Sequence, residues 1–348
     1  MAKMKRELPS PLDYTPEDIY NRLNRYVIGQ ERAKRTLSIA AYSHIKRILS
    51  PQLRESGIVK KSNVLLIGPT GCGKTHLARN LADILELPFT IVDATEYTEA
   101  GYYGKDVEVM VGQLLHKVGG NVKLAEMGII FIDEVDKVAR KNDPARTGAN
   151  GRDIGGEGVQ QGLLKMLEGQ KMFVPLNITQ HWNKHDFEEV DTTNILFICA
   201  GTFSDLRSEK IPRKSGFNQK IAPGKSKKIT NEDLKRHGMI PELLGRIPVL
   251  VQMDELTEEE LLQIIKGPPD SIVNQYTELL SADNIKLKFE DDALREIIKL
   301  AMERKVGARG LRGIMEDVMH DYLFHSPMHR GKTLLITATD VKKSIAEE

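Results

Sequence analysis

The sequence predicts an α/β protein: a large unit built on a parallel sheet, followed by a smaller, mainly helical α+β unit. Three observations carry that prediction. Five short runs, 63–67, 89–92, 129–132, 194–199 and 248–252, are almost continuously apolar and rich in β-branched residues, as strands covered on both faces are. Helical patterns lie between them, as crossovers between parallel strands require. A length of 348 residues also exceeds one ordinary compact domain.

Composition narrows the function classes. With 40% hydrophobic and 28% charged residues the chain has material for real cores, which excludes a mostly disordered protein. Fifty basic against 49 acidic residues leave a net charge of +1, so no overall field favours nucleic acid or an anionic membrane. Cys72 and Cys199 stand far apart, without Cys-x-x-Cys spacing, so neither a disulfide framework nor a cysteine zinc site is expected, and the nine histidines show no metal-ligand spacing. No run reaches the roughly 20 apolar residues that cross a bilayer. The expected compartment is the cytoplasm.

Taken in order, residues 1–13 read as a loose basic arm. Thr15 then supplies an N-cap and Pro16 a first-turn proline for a helix running toward Tyr26, and a second helix is expected over 31–49, stopped by Ser50-Pro51. The large α/β unit occupies 14–253. Within it, 140–156 and 204–226, rich in Gly, Asn, Pro and Lys, read as exposed loops. At 254–348 the character changes. Thr257 and Glu260 form a capping box that opens a helix over 258–266, ended by Gly267-Pro268-Pro269. Further helices are expected over 270–280, 292–304 and 309–325, with strands over 285–289 and 334–337 and a terminal helix.

Two motifs carry chemistry. Gly68, Pro69, Thr70, Gly71, Cys72, Gly73, Lys74 and Thr75 match G-x-x-x-x-G-K-[ST], placed between a buried strand and a helix as a phosphate loop requires, and His76 follows directly. Glycines let successive N–H groups wrap phosphate oxygens, the helix N-terminus adds positive charge, Lys74 reaches the β and γ phosphates, and the Thr75 hydroxyl suits Mg²⁺. Asp133 and Glu134 close the apolar run 129–132, reading as a Walker B element: Asp133 holds the metal, and Glu134 polarises the attacking water as general base. The plain alternative is an acidic, solvated turn running on into Asp136 and Lys137. Together the motifs predict a Mg²⁺-dependent ATPase.

Five further segments, in order, are Tyr26-Val27-Ile28-Gly29-Gln30, the run 98–104, Gly156 to Gln161 with Leu167-Glu168-Gly169, the run 240–246, and the run 307–312. With these and the Walker elements, the chain from about Tyr14 onward resembles the ClpX family of AAA+ protein unfoldases. The resemblance implies a AAA+ P-loop large domain followed by the family's small domain, and a homo-hexamer that threads unfolded or tagged proteins through its axial pore with ATP and Mg²⁺. It places Val27 and Ile28 beside adenine, although from sequence alone they read as core residues joining two helices. It makes Arg246 the arginine finger reaching a neighbour's γ-phosphate and Arg309 the sensor arginine, jobs that suit a permanently charged, two-pronged guanidinium. The Gly101-Tyr102-Tyr103-Gly104 run resembles the pore loop that grips substrate, with Tyr103 where the family usually has valine.

Three departures qualify the resemblance. The family's N-terminal zinc-binding domain, with its four cysteines, has no counterpart in this sequence. The basic Arg-Lys-His pore loop reads Asn183-Lys184-His185, leaving Lys184 and His185 to meet substrate. The hydrophobic-Gly-Phe tripeptide that docks on a ClpP-type peptidase reads Ser215-Gly216-Phe217, so an apolar anchor is lost. Two other functions share the nucleotide core: a stand-alone remodelling chaperone, which Ser215 favours, and a AAA+ DNA remodeller, supported by the basic N-terminus and the run 225–228.

Overall fold

The computed structural model describes residues 14–50, 52–53, 58–98, 105–140, 156–175, 187–208, 228–304 and 306–346. These divide into two compact units. The larger holds residues 14–20, Arg32–Gly68 and Lys74–Met253; the smaller holds Asn21–Glu31, Pro69–Gly73 and 254–346.

The larger unit is organised by a five-stranded sheet in the order Phe89–Asp93, Ile129–Asp133, Leu196–Gly201, Val64–Ile67, Val249–Gln252, with every neighbouring pair parallel. The central strands are apolar at consecutive positions because both faces are covered: Val64–Ile67 and Leu196–Gly201 are buried throughout. On one face, Leu65, Ile67, Ile130, Ile132, Phe197 and Cys199 join Met110 and Leu114 of the helix Glu108–Lys117, and Leu163 and Met166 of the helix Glu157–Glu168. The helix Lys74–Ile84, which buries Leu77, Ala78, Leu81 and Ala82, packs on the middle strands. Chain order reverses around Val64–Ile67, since strands later in sequence flank it on both sides. In open parallel sheets, ligands bind at the carboxyl ends beside such a reversal.

The sequence did not foretell an antiparallel pair, Lys171–Pro175 with Phe187–Asp191, or the short parallel pair Tyr97–Thr98 with Lys105–Asp106. A second difference lies in the expected loop over 204–226: Ser204–Ser208 is a helical turn, and 209–227 lie outside the described residues. The first helix also ends at Leu23, short of Tyr26.

The smaller unit packs helices Glu258–Lys266, Ile272–Ser281, Asp291–Glu303, Gly307–Phe324 and Ala338–Ala346 around a two-stranded parallel pair, Lys286–Phe289 with Thr333–Ile336. Its core includes Ile265, Leu280, Ile297, Ile298, Leu311, Met315 and Met319. Spacings of three and four along Leu294, Ile297, Ile298 and Ala301 make the buried stripe of one helix. The capping box forms as read: Glu260 N–H donates to Thr257 Oγ1 at 3.2 Å, and Thr257 N–H to Glu260 Oε2 at 2.8 Å. Among the described residues, no helix is long and apolar enough to cross a membrane.

Candidate active site

The phosphate-loop sequence folds as its glycines demand. Gly71 and Gly73 take φ of +78° and +95°, left-handed values that a side chain would oppose, as the chain leaves the fully buried strand Val64–Ile67 and enters the helix Lys74–Ile84. At the base of the loop, Gly68 N–H donates to Gly201 O at 3.2 Å. The Lys74 side chain, 8% exposed, donates from Nζ to Gly68 O at 2.8 Å. Cys72 is buried, whereas His76 is exposed and meets Asn80 one helical turn on.

Thr75 Oγ1 donates to Asp133 Oδ2 at 3.3 Å, bringing the two motifs together across 58 residues of chain. The other Asp133 oxygen accepts Glu134 N–H at 2.9 Å. Hydroxyl and carboxylate are both hard oxygen donors of the kind Mg²⁺ takes, so the residues present fit that ion. Glu134 is exposed and sits in the left-handed region, with φ 56° and ψ 30°. Partial desolvation and the neighbouring carboxylates of Asp93, Asp133 and Asp136 hold its carboxyl above the usual glutamate range, with Lys137 opposing them.

Asp136 differs from the solvated turn that sequence suggests. It is 5% exposed, and its carboxylate accepts Thr202 Oγ1–H at 2.8 Å, Thr202 N–H at 3.2 Å and Phe203 N–H at 3.3 Å. Gln160, fully buried, donates to Val138 O at 2.9 Å and Gly238 O at 3.1 Å while accepting Ile240 N–H at 2.8 Å. Their residue types gave no hint of these bonds, because every partner is remote in sequence.

Arg246 closes the short helix Pro241–Gly245 and is half-exposed. Among the described residues its guanidinium meets Glu168, Nε at 2.9 Å and Nη2 at 2.7 Å from Oε1, and neither the phosphate loop nor Asp133 or Glu134. Asn63, 1% exposed, donates to both Arg246 O at 2.8 Å and Leu167 O at 3.3 Å, so the arginine is anchored at its backbone and its head. Sequence reasoning missed Asn63 and Glu168 as its partners.

Within the smaller unit, Ala308 N–H donates to Gly71 O at 3.3 Å, which sets the exposed Arg309 one residue from a phosphate-loop contact. Val27 is 4% exposed and Ile28 half-buried, and Gly29 and Gln30 follow with positive φ. Gln30 ties this segment down by exchanging bonds with Asp254, Nε2 to O at 2.8 Å and N–H to Oε1 at 3.2 Å. Tyr102, Tyr103, Lys184, His185, Ser215, Gly216 and Phe217 lie outside the described residues.

A parallel sheet with a phosphate loop after its reversal strand and an Asp-Glu pair beside it defines a P-loop nucleoside triphosphatase. The sequence model of the AAA domain (Cdc48 subfamily) matches residues 59–250, and that of the C-terminal, D2-small domain of ClpB protein matches residues 256–333. The chain is 45% identical over 333 residues to the ATP-dependent Clp protease ATP-binding subunit ClpX of Treponema denticola, covering 92% of this chain and 80% of the relative. It is 44% identical over 312 residues to ClpX 2 of Wolinella succinogenes, covering 90% and 78%. The chain belongs to the ClpX family of AAA+ ATPases.

Proposed function

We propose that this chain is the motor of a homo-hexameric ring that unfolds proteins with ATP and Mg²⁺ and feeds them to a ClpP-type peptidase. The Thr75–Asp133 contact carries the nucleotide part of this reading, because it sets the phosphate loop against the Walker B carboxylates at the ligand-binding end of the sheet.

In this mechanism the N–H groups of 68–75 cradle the phosphates, and Lys74 exchanges Gly68 O for β and γ phosphate oxygens. Thr75 and Asp133 hold Mg²⁺, which when bound neutralises developing phosphate charge. Glu134 takes a proton from the attacking water. Arg246 exchanges Glu168 for the γ-phosphate held by the neighbouring subunit, and Arg309 senses the nucleotide in its own. Val27 and Ile28 line the adenine. Tyr102 and Tyr103 grip the substrate chain, Lys184 and His185 meet its entering end, and Ser215, Gly216 and Phe217 dock on the peptidase.

The test follows ATP hydrolysis with and without an unfolded protein, and loss of a fluorescent tagged substrate with and without a ClpP-type peptidase. Stimulated hydrolysis with peptidase-dependent loss is expected. Stimulation without loss would leave a stand-alone remodelling chaperone, the function that Ser215 favours. No response to protein would overturn the motor reading.

A further inference from the structure

We propose that Asp136 is a positioning residue for ATP hydrolysis: its carboxylate locks the turn after Glu134 onto the end of the strand Leu196–Gly201 and so fixes where the base stands. The proposal deepens the reading of Glu134 as general base and rests on it.

Two strained residues flank this carboxylate. Glu134, two positions before it, has φ 56°, and Phe203, whose N–H it accepts, has φ 46°. Left-handed backbone is uncommon for any residue with a Cβ and rarer still for a bulky aromatic, and it persists only where the surroundings over-determine it. Asp136 bonds the Phe203 backbone directly and holds the turn that follows Glu134. It sits in the helical turn Val135–Val138 directly after Glu134, and reaches across to accept three hydrogen bonds from Thr202 and Phe203. An ionised acceptor makes each of these stronger than a neutral pair would be. Gly201 leaves room for the arrangement, since a Cβ there would stand 2.8 Å from Asp136 Oδ1 and 2.6 Å from the Phe203 ring. Gln160 pins the far end of the same turn through Val138 O. The turn is therefore held at both ends by buried side chains, while the Glu134 side chain itself stays exposed.

The role separates turnover from binding, because Lys74 and Thr75 make none of these bonds. The experiment measures kcat and KM for Mg²⁺-ATP, and the Kd of a fluorescent ATP analogue, on full-length Asp136→Asn, Thr202→Val, Thr202→Ser and Glu134→Gln. Asp136→Asn turns an amide NH₂ toward an N–H donor, and kcat is expected to fall at least about tenfold with KM and Kd within about twofold. Thr202→Val removes only the hydroxyl donor and is expected to lower kcat severalfold, with Thr202→Ser restoring it. Should Asp136→Asn fail to fold, the two Thr202 variants decide the matter alone. Unchanged kcat in Asp136→Asn or Thr202→Val, or a Thr202→Ser no better than Thr202→Val, overturns the positioning role. If Glu134→Gln hydrolyses ATP at the full rate, the base reading itself falls and the proposal with it; if Glu134→Gln is inactive while Asp136→Asn turns over normally, only the positioning role falls.

Discussion

At the carboxyl end of the central sheet, Thr75 and Asp133 are half-buried and Glu134 is exposed, with hydrogen-bonding capacity left for a ligand. At the amino end of the same sheet three basic side chains turn into the protein and engage backbone. His44, 4% exposed, has Nε2 3.2 Å from Met127 O; Arg47 donates to Thr193 O at 3.1 Å; Lys61 donates to Met166 O and Thr192 O at 3.1 and 3.0 Å and lies over the Phe197 ring. Burial, with Arg47 nearby, pushes His44 down to about 3 and Lys61 down to about 7. One sheet thus places chemistry at one end and cohesion at the other. What separates them is access to a ligand, more than the residue type: at the amino end His44 Nδ1 and Arg47 Nε are buried without a hydrogen-bond partner among the described residues.

The largest effect on nucleotide binding expected at the carboxyl end comes from Lys74→Ala. Removing charge-assisted bonds to phosphate should weaken nucleotide binding by about 10- to 100-fold, as a fluorescent nucleotide titration would show, without a comparable loss of thermal stability. At the amino end the readout is stability against pH. The native pKa of His44 is about 3, below its ordinary 6.5, so the unfolded chain alone takes up the proton between those values, and stability complete above pH 6.5 drains as pH falls toward 3. The loss should reach about 2 kcal/mol by pH 5. His44→Leu should flatten that slope in urea unfolding while leaving ATP turnover at pH 7.5 unchanged; an undiminished slope would contradict the assignment. Lys61→Met should give a change of similar size at the alkaline end of the range. Lys61 titrates at about 7 in the fold, so its burial penalty is fully present below pH 7 and relieved as pH rises, and stability should climb from pH 7 toward 10. The variant should lose that climb, measured as the urea midpoint at pH 7 and 9.

The two ends were also unequally legible in the sequence. Lys74, Thr75, Asp133 and Glu134 could be read because their chemistry needs contiguous residues at fixed offsets from buried strands, and the five apolar runs found the sheet for the same local reason. The amino-end bases could not be read. On the helix Glu31–Leu49, His44 and Arg47 look like solvated polar positions, and the carbonyls that receive them come from 83 and 146 residues away. Asp136 was hidden the same way, an acid in an acidic turn whose partners lie 66 and 67 residues further on. The strand Phe187–Asp191 escaped notice because Glu188 and Glu189 are exposed and only Val190 is fully buried, so neither a continuous run nor a clean alternation marks it.

The contrast between the two ends turns most directly on Glu134→Gln, assayed for ATP binding, turnover and thermal unfolding on one preparation. Loss of the base should lower kcat by about 100-fold or more while nucleotide Kd and melting temperature stay near those of the parent chain. Turnover within a few-fold of the parent, or a fall in stability matching the fall in kcat, would contradict the placement of the chemistry at this end of the sheet.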